Sequence, residues 1–256
     1  MAEATLPLGE TADEADWRAL VDKGLKGASW DKLVGKTSDG IAIQPLYRES
    51  DIATAREETG EPPAIFLRSA PLAGWRIRQV FEHPDPAQTN REILADLQGG
   101  VAAIELKIDP EGQTGVHIRD ADGLDRALAD VILEAAPVSL DAGAATAWAG
   151  EVLAAKLKGV AAPGTAFNLD PIGVLMRGGE LDAEETARAV RFAQRVRTEM
   201  PSATALRVDA RPVHEAGGTE CQEIAAALAT GAFYLRALTE AGMNIGDAAV
   251  SMQFAF

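Results

Sequence analysis

The feature that most constrains the fold of this chain is an alternation of strand and helix patterns that repeats from residue 75 to residue 256. Each short apolar run is followed by an Ala-, Leu- and Glu-rich stretch whose apolar residues recur at helical spacing, three or four apart. The predicted strands are 75–81, 101–108, 137–143, 164–170, 205–210 and 250–256. This order is typical of a parallel β/α protein.

Two architectures fit such a pattern, an open doubly wound sheet and a (β/α)8 barrel. The chain contains neither G-x-G-x-x-G after an early strand nor G-x-x-x-x-G-K-[ST], so the nucleotide fingerprints of open sheets are absent. We therefore predict an α/β fold of the (β/α)8 TIM-barrel type. Only six strands are evident, and open sheet edges are costly. The barrel is thus expected to be truncated, or completed by the N-terminal arm or by a partner.

The region before the alternation is irregular. Apolar spacing predicts an amphipathic helix and a turn over residues 16–33, and residues 40–47 suggest a short edge strand. Residues 51–74 are rich in proline and charge and are typical of a linker. We predict an N-terminal arm and linker over 1–74 and a barrel domain over 75–256.

Composition excludes several classes of function. The 24 basic and 39 acidic side chains give a formal net charge of −15, which disfavours nucleic acid and anionic membranes as partners. The single cysteine, Cys221, excludes an intrachain disulfide and any multi-cysteine metal site. The sequence lacks an apolar run long enough to span a membrane and the pattern of a signal peptide, so we expect a cytoplasmic protein.

Four aspartates follow successive predicted strands: Asp109, Asp141, Asp170 and Asp209. The carboxyl ends of barrel strands are where active sites are built, and converging carboxylates can bind a divalent cation or act as acid and base. Aspartate after a strand also caps the next helix or begins a turn. Both interpretations stay open from the sequence.

Three other polar residues are candidates for substrate binding. Arg78 and Gln79 end the first barrel strand and are expected to face a cavity, although a surface salt bridge would explain them equally well. His214 follows the fifth strand, where an imidazole could serve as general acid or base or could simply be part of a turn.

Five segments together resemble the methylmalonyl-CoA mutase family of adenosylcobalamin-dependent acyl-CoA mutases, in order and spacing. They are W-x-x-L-x-x-K-x-L-K-G at 17–27, GIAIQPLY at 40–47, GEPP at 60–63, WRIRQ at 75–79, and HEAGGTECQEIAAALATGAFYLRALTEAGMNI at 214–245. The resemblance implies a (β/α)8 barrel threaded by the pantetheine of a CoA ester, with a separate domain that carries the corrinoid.

The sequence departs from the family at the positions that carry catalysis. Val80 stands where active chains have a tyrosine, and Arg211 and Pro212 replace a Tyr-His pair. The corrinoid signature D-x-H-x-x-G is missing. Bulky Phe167 and Leu169, together with Met252, align with ligand-contact positions and are expected to fill the channel. No catalytic residue is therefore assigned.

We interpret the chain as the non-catalytic small (beta-type) subunit that supports a catalytic large chain in a heterodimer. Adenosylcobalamin is then needed only at the level of the complex. An alternative is a barrel that binds an acyl-CoA through Arg78, Gln79 and His214, with cobalamin supplied in trans. A third is a metal-dependent lyase or hydrolase that uses Asp109, Asp141, Asp170 and Asp209. An open barrel would also be prone to self-association.

Overall fold

The structure is a computed structural model that describes residues 14–48, 51, 76–157, 161–180 and 182–256. The chain divides into two units, Met1–Pro71 and Leu72–Phe256. The predicted linker at 51–74 lies almost wholly outside the described residues, Asp51 being the exception.

The N-terminal unit contains helix α1 (Glu14–Leu25), a 3-10 turn (Trp30–Leu33) and an antiparallel pair, β1 (Gly35–Lys36) and β2 (Ala42–Ile43). The indole rings of Trp17 and Trp30 pack edge to face with centroids 5.7 Å apart. Among residues 14–48 no side chain is buried. The predicted helix, turn and short strand are present, but this described part of the unit has no core of its own.

The second unit is built on six parallel strands. These are β3 (Arg78–Phe81), β4 (Ala103–Lys107), β5 (Val138–Asp141), β6 (Ala166–Leu169), β7 (Thr204–Asp209) and β8 (Met252–Ala255). The helices between them are α2 (Pro86–Gln98), α3 (Ala121–Ala127), α4 (Thr146–Leu157), α5 (Pro171–Met176), α6 (Ala183–Glu199), α7 (Arg211–Glu215), α8 (Glu220–Glu240) and α9 (Ile245–Val250). All six predicted strands are confirmed within a few residues.

The strands are hydrogen-bonded in their sequence order, from β3 to β8. A doubly wound sheet reverses its strand order at a switch point, whereas a β/α barrel adds each strand beside the previous one. The sequential order excludes the open doubly wound alternative for the described residues and agrees with six strands of a TIM-like barrel.

The two faces of the sheet have opposite chemistry because side chains alternate along each strand. One face carries Ile104, Leu106 and Leu140, all fully buried in the core that includes residues of the surrounding helices. The other face carries Glu105 and Asp141 in the same strands. The core thus lies between sheet and helices, and the remaining face is strongly polar.

The expectation that Phe167, Leu169 and Met252 fill a channel is wrong. The ring of Phe167 packs edge to face on Phe192 of α6, with centroids 5.0 Å apart. A Cβ on Gly150 of α4 would lie 3.2 Å from Leu169 Cδ1, which places Leu169 on the helix side as well. Met252 pairs in register with Leu206, a residue of the buried core.

Polar side chains cross the other face instead. Arg78 on β3 donates to Ser139 Oγ on β5 (3.3 Å) and to the carbonyl oxygen of Gly164, just before β6 (3.1 Å). In a flat sheet, three strand intervals would separate β3 from β6 by about 14 Å. One arginine side chain does not span that distance, so the sheet must curve around its polar face.

Asn168 is the centre of this crossing network. Its Nδ2 donates to Ser139 Oγ (2.9 Å) and to the carbonyl of Leu140 (2.8 Å), and its Oδ1 accepts from Gln253 Nε2 (2.6 Å). Asn168 also has a φ of +57°, in the left-handed region that asparagine tolerates better than most residues. The pairing of β6 with β7 is irregular between Ala166 and Leu169, which allows this side chain to turn inward.

Replacing Asn168 should separate the contribution of its side-chain hydrogen bonds from that of its positive φ. We expect Asn168→Ala to lower the free energy of unfolding by roughly 2–4 kcal/mol, through unpaired buried partners and backbone strain. Asn168→Gly loses the same hydrogen bonds but accepts the positive φ, so it should be less destabilising. Urea denaturation of both variants measures the difference, and equal losses would contradict the strain component.

Candidate functional site

An open cleft of about 910 Å³ lies at the carboxyl ends of β3, β4, β5 and β7. Its charged lining residues are Glu82, Glu105, Lys107, Asp109, Glu111, Asp141, Arg177, Arg211 and Glu215. In β/α barrels this end of the sheet is where ligands bind, so the cleft is the candidate site.

A buried carboxylate organises the floor of this end of the sheet. Asp209, at the end of β7, accepts from Nε of Arg211 (2.8 Å) and from Nη2 of Arg177 (2.7 Å). The guanidinium of Arg207 lies 3.5 Å from the same carboxylate and donates to Asp141 Oδ1 at 3.1 Å. One aspartate therefore joins β7 to α5 and α7, and Arg207 connects it to β5.

Asp209 stays ionised although burial opposes its charge. Burial raises the pKa, but the hydrogen bonds from Arg211 and Arg177 and the charge of Arg207 outweigh it and hold the pKa of Asp209 well below its usual range. The same pairing with Asp209 raises the pKa of Arg211. These charges are neutralised within the protein.

Glu105 has the opposite environment. Burial and the neighbouring charge of Asp141 raise its pKa, and the charges of Arg78, Arg207 and Arg211 offset this only in part. Glu105 lies on β4 beside β5, in the polar interior of the sheet. Of the two lining carboxylates with a shifted pKa, Asp109 and Glu105, only Glu105 has a raised pKa and is therefore the more easily protonated.

Asp109 forms a turn. Its carboxylate accepts from the backbone N–H groups of Glu111, Gln113 and Thr114, all at 2.9 Å, and from the Thr114 hydroxyl. These bonds lower the pKa of Asp109 to about 2. The Asp-Pro sequence thus has the turn role that the conservative interpretation predicted.

Asp170 caps a helix. Its Oδ1 accepts from the backbone N–H of Gly173 (3.0 Å) at the start of α5 and from the hydroxyl of Tyr234 on α8 (2.6 Å). The Tyr234 hydroxyl in turn accepts from the N–H of Ile172. Burial raises the pKa of Asp170, and burial together with the Asp170 charge raises the pKa of Tyr234.

The metal hypothesis has no support in the described residues. Asp141 and Asp209 come together, but through arginines that occupy their oxygens, while Asp109 and Asp170 hold a turn and a helix cap. Among the residues that the structure describes, no group of three or more His, Cys, Asp or Glu side chains could hold a metal ion.

The three substrate-binding candidates, Arg78, Gln79 and His214, do not come together in the cleft. Arg78 is held by Ser139 and Gly164, and the Gln79 amide donates to the carbonyl of Val80. The side chain of His214 is 73% exposed, and its Nδ1 lies 3.3 Å from Glu223 Oε2. None of Arg78, Gln79 and His214 lines the cleft.

The segment that carries most of the resemblance is structural here. Gly217 has a φ of +83°, and a Cβ on Gly218 would lie 2.5 Å from Val213 Cγ1. Thr219 and Gln222 then form a capping box that starts α8. The HEAGGT turn is therefore explained by the connection between α7 and α8.

Sequence reasoning missed Glu105, Arg177, Arg207 and Tyr234. For Glu105 and Arg207 a signal existed, because each is a charged residue between apolar neighbours inside a strand and so must face away from the core. No local pattern marks Arg177 or Tyr234, whose partners are 32 and 64 positions away in the chain.

Comparison with known proteins decides the family. The family model "Methylmalonyl-CoA mutase" matches residues 36–256. The chain belongs to the methylmalonyl-CoA mutase family. Similar curated relatives are the methylmalonyl-CoA mutase small subunits of Streptomyces virginiae and Propionibacterium freudenreichii subsp. shermanii, with 36% and 32% identity over 96% and 95% of this chain. A methylmalonyl-CoA mutase of Cereibacter sphaeroides is 29% identical over 96% of it.

The chain spans about two-fifths of the length of these curated relatives: 41%, 40% and 39%. The region that this chain shares with its relatives therefore contains the β/α units described above. Within the described residues, no helix is both long and apolar enough to cross a membrane.

The low pKa of Asp109 predicts a specific acid sensitivity. A carboxylate whose folded pKa is about 2 and whose ordinary value is 3.8 adds stability above about pH 4, and this stability is lost as the pH falls toward 2. Asp109→Asn should show a smaller loss of stability across that interval than the unchanged chain. Thermal unfolding from pH 7 to pH 2 measures it, and identical profiles would refute the role of Asp109.

The contribution of Glu105 to stability should change with pH in the direction opposite to that of Asp109. A raised folded pKa means that its contribution to stability falls as the pH rises from the ordinary value of 4.5 through the folded pKa. We expect Glu105→Gln to raise the melting temperature at pH 7 and to lose this advantage near pH 4. Glu111→Gln, an exposed residue of the same cleft, is the matched control and should leave the melting temperature nearly unchanged.

Proposed function

We propose that this chain is a non-catalytic small subunit of a methylmalonyl-CoA mutase. In this proposal a catalytic large chain interconverts methylmalonyl-CoA and succinyl-CoA, and the present chain stabilises it in a heterodimer. The small subunits of Streptomyces virginiae and Propionibacterium freudenreichii, which match nearly the whole chain, support this assignment.

One observation carries the proposal: the polar face of the sheet is bridged by the protein's own hydrogen bonds. Arg78 reaches Ser139, Ser139 accepts from Asn168, and Asn168 accepts from Gln253. These bonds join β3, β5, β6 and β8 across the interior that, by resemblance to the family, would receive pantetheine. A ligand such as pantetheine, extended through this interior, would have to break these hydrogen bonds. Buried polar groups would then be left unpaired, which costs free energy.

Among the described residues that line the cleft, the groups that the resemblance assigns to the family's chemistry are also replaced. Val80 lines it where the resemblance places a tyrosine, and Arg211 is committed to Asp209 where the resemblance places the Tyr-His pair. Positioned groups of this kind each contribute orders of magnitude to a rate. We therefore assign no catalytic residue and expect no turnover by this chain alone.

The family resemblance implies adenosylcobalamin, but the described residues do not fit this cofactor. None of the three histidines, His83, His117 and His214, lines the cleft, and the exposed side chain of His214 has its Nδ1 beside Glu223. The sequence has no D-x-H-x-x-G. We propose that cobalamin belongs to the complex and is held by the large chain.

Exposed apolar side chains in the N-terminal unit are a second argument for a protein partner. Residues 14–48 contain no buried side chain, yet Leu20, Ile41 and Tyr47 are 70%, 56% and 59% exposed. A helix and a two-stranded hairpin with exposed apolar side chains are marginally stable by themselves. We propose that residues 1–74 form an arm that docks on the large chain, and that 75–256 form the barrel domain. A cytoplasmic location stays a prediction from the sequence.

Co-expression with the large chain tests the subunit assignment. We expect tagged chain to recover the large chain in equal amount and mutase activity to reside in the complex, with none in the tagged chain alone. Arg78→Ala should still form the complex and leave its activity largely unchanged, because Arg78 acts inside this barrel. Recovery of the tagged chain alone, as a monomer or as a self-associated species, would overturn the proposal.

Isothermal titration with CoA separates this function from the alternative acyl-CoA-binding barrel. The isolated chain should release no binding heat with CoA or succinyl-CoA, because its interior is occupied by its own hydrogen bonds. Saturable binding that is weakened by Arg78→Ala, with Arg76→Ala as the matched control, would favour the alternative in which cobalamin is supplied in trans.

A further inference from the structure

We draw no further inference here: the strongest candidate, the charged cleft at the carboxyl ends of β3, β4, β5 and β7, is an acidic cluster in which Arg177, Arg211 and Lys107 are already ion-paired, and nothing else in the described residues points to a ligand for it.

Discussion

The buried carboxylate of Asp209 is the interaction on which the carboxyl end of the sheet depends. It binds Arg207 of β7, Arg211 of α7 and Arg177, which follows α5, and Arg207 extends the contact to Asp141 on β5. Removing one member of such a buried cluster leaves the others with uncompensated charge, which typically lowers the free energy of unfolding by about 3–5 kcal/mol. The cluster ties the short helices α5 and α7 to β7, and so it fixes the shape of the cleft.

The polar interior has two parts that share one consequence. Arg78, Ser139, Asn168 and Gln253 hydrogen-bond across the sheet, and the Asp209 cluster at the end of β7 joins neighbouring elements by ion pairs. A polar network of this kind is stable only when its members find partners, and a ligand would compete for them. In this chain of the mutase family, the strands of the β/α architecture are thus joined across the polar face by the protein's own side chains.

Much of the fold followed from local pattern, and much of the site did not. The apolar runs located all six strands of the sheet because a strand buried on its helix face must present apolar residues at every second position. The same pattern could not show which way Phe167 and Leu169 point. The irregular pairing of β6 and the positive φ of Asn168 turn the asparagine inward and both apolar neighbours toward the helices.

The sequence by itself determined the β/α class, the positions of the strands and the family. These properties are written in local spacing and in residue identity at matched positions. Only the tertiary structure decided that Asp109 and Asp170 hold a turn and a cap, that Asp209 is held by three arginines, and that Glu105 is left with a raised pKa. Those outcomes depend on which distant side chains share a small volume, because electrostatic and hydrogen-bond energies change steeply over a few ångströms.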